Sequence, residues 1–140
     1  MAEATQTWSE RLAELGIALP AVAAPVAAYV PAVRSGNHVY TSGQLPFVDG
    51  KLALTGKLGA GVSDEDAKAA ARTCALNALA AIDALVGIDN VVRVVKVVGF
   101  VASAEGFTGQ PGVINGASEF LGEVLGDAGI HARSAVGVAE

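Results

Sequence analysis

The stretch NVVRVVKVVGFVAS, residues 90–103, decides the fold. Its VVxVVxVV spacing would fit a helix, but six valines in the eight positions 91–98 favour a strand. β-branched side chains lose χ1 freedom in a helix and pack well on a pleated surface. Arg93 and Lys96 lie three positions apart and so point to opposite faces of that strand. A strand apolar on both faces is buried on both, which predicts that something covers each side of the sheet.

The segments around it alternate. Trp8, Leu12 and Leu15 recur at helical spacing before Gly16, predicting a short amphipathic helix over 7–15. Pro20, Pro25 and Pro31 forbid a long helix over 17–35 and predict extended chain wrapping the surface. A turn at SGN (35–37), a strand HVYTS (38–42) and a hairpin about Asp49-Gly50 follow, the Asp-Gly pair suiting a type I′ turn. Ser63 is an N-cap, and Asp64, Glu65 and Asp66 suit the positive end of a helix dipole. Ala69, Cys74, Leu76, Leu79, Ile82 and Leu85 line that helix, which Gly87 ends. A second long helix starts with Pro111 at N1 and stops near Gly126. The last strand is ARSAVGVAE (132–140). The order predicts an α+β or α/β domain: a small sheet with two long helices on one face and copies of itself over the other.

Composition narrows the function. The 140 residues suit one domain, and 52% hydrophobic residues with a mean hydropathy of +0.48 supply a core and an apolar surface that predicts an oligomer. A net charge of −5 and a pI near 4.9 disfavour nucleic acid. The N-terminus MAEATQTWSERLAELG is neither a signal nor a transit peptide, and no apolar run reaches membrane-spanning length, so a cytoplasmic protein without a membrane partner is expected. Cys74 is the one cysteine; it allows no intrachain disulfide and reads as a small buried hydrophobe. GKLGAG (56–61) lacks both the P-loop order and the dinucleotide fingerprint. His38 and His131 show no ligand spacing, so no metal is expected. Ser42, in TSGQ, lacks the nucleophile-elbow pattern. Arg133 stands among Ala132, Ser134 and Ala135, where its side chain has room to grip a carboxylate through two parallel hydrogen bonds. The competing reading, which composition alone favours, is a salt bridge to one of the fourteen carboxylates.

From about Ala27 onward, YVPAVRSGNHVYTSGQLP, LNALAAIDAL, VVRVVKVVGFVAS and HARSAVGVAE resemble the RidA/YjgF family of reactive-intermediate deaminases. WSERLAELGIALP and GQPGVINGASEFL resemble a longer, less characterised subgroup of it. The resemblance implies one RidA-like domain over 1–140, with a helix and Pro-rich wrap over 1–26. It implies a chorismate-mutase-like α+β fold and a homotrimer whose sheets form an inner barrel, with active sites between subunits. The implied activity is hydrolysis of enamines and imines such as 2-aminoacrylate to 2-oxo acids and ammonia, with no cofactor or metal. Carried over residue by residue, Arg133 binds the substrate carboxylate, Tyr29 stands at the cleft, Ser42 lines it, and Asn115 lies near the start of the second long helix. The resemblance also implies a further strand containing VE(V/I)E after the point where Glu140 stands, with a glutamate that positions the attacking water. The alternatives are a trimeric regulator binding a small carboxylate without turnover, and a ribonuclease, a label some members carry that the acidic charge disfavours.

Overall fold

Thr7 opens the chain's first helix with a reciprocal cap. Its hydroxyl accepts from the Glu10 N–H, and the Glu10 carboxylate accepts from the Thr7 N–H at 3.0 Å, so two otherwise orphaned donors are satisfied. The resulting α1 (Trp8–Glu14) belongs to a computed structural model that describes residues 5–22 and 24–140. Residues 1–4, the head of the MAEATQTWSERLAELG segment, and residue 23 of the Pro-rich wrap lie outside the described residues. Among its described residues the wrap forms no regular element until β1 (Ala32–Ser35), which pairs antiparallel with β2 (His38–Thr41). Gly36, at φ +58, takes the first loop position of that hairpin. The next hairpin joins β3 (Phe47–Val48) to β4 (Lys51–Leu52), with Asp49 at φ +50 and Gly50 at φ +77. Two positive φ values in a two-residue loop are the type I′ signature.

Two short strands, β5 (Lys57–Leu58) and β6 (Gly61–Val62), lead into α2 (Asp64–Val86), capped by the Ser63 hydroxyl accepting from the Asp66 N–H. A 3-10 turn (Ile88–Asn90) precedes β7 (Lys96–Ala102). Then come α3 (Gln110–Leu125), a 3-10 turn (Gly126–Gly129) and β8 (Ala132–Val138), parallel to β7 in the register Val97↔Arg133, Gly99↔Ala135, Val101↔Gly137.

Several expectations change here. The valine-rich run enters the ladder only at Lys96, not at Val91. Its first half spends its backbone groups elsewhere: Val91 O accepts from the Trp8 indole at 2.8 Å, and Val94 N donates to Ala128 O at 2.8 Å. On β7 the helix side (Val97, Gly99, Val101) is buried or half-buried, while Lys96, Val98 and Phe100 are exposed. The single chain therefore covers one face of this strand and leaves an apolar face open. Among the described residues the strands form separate two-stranded sheets rather than the one small sheet expected, with α2 over β1, β2 and β3 and α3 over β7 and β8.

The expected helix face also differs. The buried stripe of α2 is Ala67, Ala71, Ala75 and Leu79, whereas Ala69 and Leu85 are exposed. Small residues win because α2 and α3 approach closely: a Cβ on Gly116 would lie 2.8 Å from the Lys68 carbonyl carbon and closer still to its oxygen. The core adds Leu12, Leu58, Ile88, Val113, Ile114, Phe120, Leu121, Val124 and Leu125 around that seam. Lys68–Glu119 (3.0 Å) and Arg72–Glu123 (2.9 Å) pair across its exposed rim, where such pairs contribute about 0–1 kcal/mol each. By length and composition α2 is long and apolar enough to cross a membrane, contrary to the expectation that no segment is. Here its small-residue stripe packs in the core, and Lys68 and Arg72 pair with Glu119 and Glu123 of α3 at the rim of the seam.

Candidate active site

Two elements build the site. Asn115 and Ser118 lie three residues apart on α3 and so share a face. That helix rests on β7 at Gly99, where any Cβ would collide with Ile114, and beside Ala135 of β8. Arg133, second in β8, points to the same helix-covered side as Val97, Ala135 and Gly137. The guanidinium therefore meets α3. Its Nη1 donates to Asn115 Oδ1 at 2.7 Å and to Ser118 Oγ at 3.2 Å. Among the described residues, no carboxylate pairs with Arg133, and Nη2 and Nε have no protein acceptor. The salt-bridge reading of Arg133 is thus not the one realised within this chain. A half-buried guanidinium with two nitrogens unspent, one N–H on Nε and two on Nη2, presents the forked edge that a carboxylate fits.

His131 comes to the same place from the turn after α3. Its Nδ1 lies 2.6 Å from the Gly129 carbonyl and its Nε2 lies 2.9 Å from Ser118 Oγ. A carbonyl oxygen only accepts, so Nδ1 carries the proton in the neutral ring and Nε2 accepts from the Ser118 hydroxyl. The chain of donors runs from Arg133 to Ser118 to His131 to Gly129. An open cleft of about 290 Å³ exposes this group, lined by Asn115, Ser118, His131, Arg133, Ile130 and two glycines, Gly122 and Gly129. A shallow groove of about 310 Å³ between α2 and α3 holds the ion-paired Lys68, Arg72, Glu119 and Glu123, whose charges are spent on one another.

Of the four residues carried over from the resemblance, the fold brings Arg133 and Asn115 into contact. It places Ser42 beside the segment of Tyr29 instead: Ser42 Oγ donates to Val30 O at 2.6 Å, and Ser42 N donates to Pro31 O at 2.8 Å. Tyr29 is about half exposed. Neither Tyr29 nor Ser42 lines the Arg133 cleft. Ser118 and His131 were missed as site residues. The signal was the i,i+3 spacing of Asn115 and Ser118 and the i,i+2 spacing of His131 and Arg133, but the register that joins those pairs is tertiary. Cys74 is half-buried among helix side chains, and burial pushes its thiol up to about 11, which keeps it a protonated, unreactive group near neutral pH.

An α+β chain with an open, arginine-bearing cleft at the junction of a helix and a parallel strand pair is the class these features define. The family model described as "YjgF/chorismate_mutase-like, putative endoribonuclease" matches residues 9–138. Protein TCP17 of Trypanosoma cruzi is 48% identical over 131 residues, covering 92% of this chain and 82% of that protein. The crystal structure of an Agrobacterium tumefaciens protein described as of unknown function superposes with a TM-score of 0.85 at 48% identity, covering 95% of this chain and 82% of that one. A Shewanella oneidensis structure described as a "putative endoribonuclease" superposes with a TM-score of 0.90 at 32% identity, covering 96% and 89%. The chain belongs to the YjgF/chorismate-mutase-like family.

Proposed function

We propose that the protein is an enamine/imine deaminase that hydrolyses 2-aminoacrylate-type intermediates to 2-oxo acids and ammonia. The observation that carries this reading is the half-buried Arg133 lining the cleft, whose Nη1 is held by Asn115 and Ser118 while Nε and Nη2 have no acceptor among the described residues. A carboxylate docked on that edge gains two parallel charge-assisted hydrogen bonds, each worth about 1.5–3 kcal/mol. Fixing the carboxylate fixes the adjacent imine carbon, and a protonated imine is electrophilic enough to need little beyond a positioned water. The chemistry asks for neither cofactor nor metal.

The working form is a cytoplasmic homotrimer with the cleft between subunits, so that Tyr29 and Ser42 of a neighbouring copy close over Arg133. Two features support this: Tyr29 and Ser42 are absent from the Arg133 cleft of their own chain, and β7–β8 exposes Val98, Phe100 and Val136. The family description names ribonuclease activity, but a chain of net charge −5 with one arginine in its cleft offers no track for a phosphate backbone.

The test is ammonia and 2-oxo acid release from freshly generated 2-aminoacrylate. The wild type is expected to accelerate it. Arg133→Ala should lose about 100-fold or more in kcat/KM while keeping the wild-type assembly, and Arg133→Lys should recover only part, since a point charge replaces a fork. No acceleration by the wild type overturns the reading. Saturable 2-oxo acid binding without turnover would establish a carboxylate-binding regulator instead.

A further inference from the structure

We infer that Ser118 and His131 form a proton relay serving the Arg133 cleft. The inference deepens the deaminase reading and rests on it. The pair has the geometry of an activated hydroxyl: Ser118 Oγ lies 2.9 Å from His131 Nε2, and Gly129 O holds the opposite ring nitrogen at 2.6 Å. Base, hydroxyl and orienting acceptor in line are what hydroxyl activation requires. The hydroxyl's hydrogen is directed to Nε2, while its lone pair accepts from Arg133 Nη1 at 3.2 Å. The guanidinium thus favours negative charge developing on Oγ as the proton moves to His131. Both residues are half-buried and line the same cleft as Arg133, so the relay stands beside a carboxylate docked on that arginine.

The step balances as follows. A water oxygen bonds to the iminium carbon, and the C=N π pair moves to nitrogen. The water proton passes to Ser118 Oγ as the Ser118 proton passes to His131 Nε2, leaving a neutral carbinolamine and an imidazolium that keeps its Nδ1–H on Gly129 O. The imidazolium returns the proton through Ser118 to the amino nitrogen. The C–N bond then breaks with its electron pair on nitrogen, C=O forms, and the hydroxyl proton leaves with ammonia as ammonium. The iminium forms from 2-aminoacrylate by protonation from solvent at its methylene carbon, and from there water is the only co-reactant.

The experiment compares wild type, His131→Gln, Ser118→Ala and the double variant in the 2-aminoacrylate assay, with pyruvate binding measured in parallel. Gln can still accept from Ser118 but takes no proton. Each single variant is expected to lower kcat about 100-fold or more, the usual weight of general acid–base transfer. His131→Gln should change KM and pyruvate affinity less than about twofold, whereas Ser118→Ala also removes an acceptor of Arg133 Nη1 and should weaken pyruvate binding as well. The double variant is expected to match the worse single, because the two act as a unit. Imidazole nitrogen shifts are expected to show Nδ1 protonated and Nε2 bare in the free wild type. Retained kcat in His131→Gln or Ser118→Ala, a loss confined to KM, or an Nε2–H tautomer overturns the relay and leaves the Arg133 reading standing. An inactive wild type overturns both.

Discussion

Replacing Gly116 by alanine tests the seam that holds the site together. Gly116 lies between Asn115 and Ser118 on α3, and the missing side chain is what lets the helix touch the Lys68 carbonyl of α2. On an open helix surface, Gly→Ala stabilises by about 1 kcal/mol through propensity. Here the new methyl would lie 2.8 Å from the Lys68 carbonyl carbon and 3.0 Å from its Cγ, well inside van der Waals contact. Relieving that overlap separates the helices by about 1 Å, which forfeits a quarter to a half of the dispersion along the contact. Overpacking of this kind costs about 3 kcal/mol against backbone that cannot rotate away. The net expectation is a loss of about 2 kcal/mol, or about 6 °C in Tm for a chain of this length. Gly122 of the same helix meets nothing within 4 Å, so Gly122→Ala supplies the control and should gain about 0.5–1 kcal/mol. Urea unfolding followed by far-ultraviolet circular dichroism, at one fixed protomer concentration, reads both variants. A Gly116→Ala protein as stable as Gly122→Ala would refute the close-approach argument.

The Cys74 thiol, pushed up to about 11 by burial, should react with a thiolate-seeking disulfide reagent at pH 8 about 100-fold more slowly than in the urea-unfolded chain; equal rates would contradict its burial. The same shift has a sign in stability. The folded state holds the proton more tightly than the unfolded state, whose thiol titrates near 9, so the Cys74 contribution to stability should be constant below pH 9 and fall by up to about 2.7 kcal/mol as pH rises from 9 to 11. Cys74→Ser denaturation curves across that window check it, since the variant should lack this loss. Phe100, 68% exposed on the open face of β7, should be covered in the assembly. Phe100→Glu is therefore expected to shift sedimentation toward the monomer, and an unchanged sedimentation coefficient would count against packing of copies on that face.

Much of the local structure was legible because it depends on chemistry within a few residues. Asp49-Gly50, Ser63 before three acids, Pro111 and Gly126 each mark a helix end or a turn by satisfying or sparing a backbone group close by. The errors share a cause. Leucine spacing on α2 pointed to Leu85 as core, but the packing partner was a glycine-bearing helix that selects alanines. The valine run pointed to a strand from Val91, but Trp8 and Ala128 claim its first backbone groups from afar. Buried faces and strand starts depend on what arrives from elsewhere in the chain.

The site divides the same way. Sequence alone singled out Arg133 among small neighbours, and the family resemblance added Asn115, Tyr29 and Ser42. Only the tertiary structure decided that Arg133 meets Asn115 rather than a carboxylate, because only it places β8 beside β7 with α3 above them. That packing also turned His131, which has no ligand spacing in the sequence, into the hydrogen-bond partner of Ser118. Turns and caps are short-range and are written in adjacent residues. A cleft depends on register and on the distance between packed elements, and these are set only when the core closes.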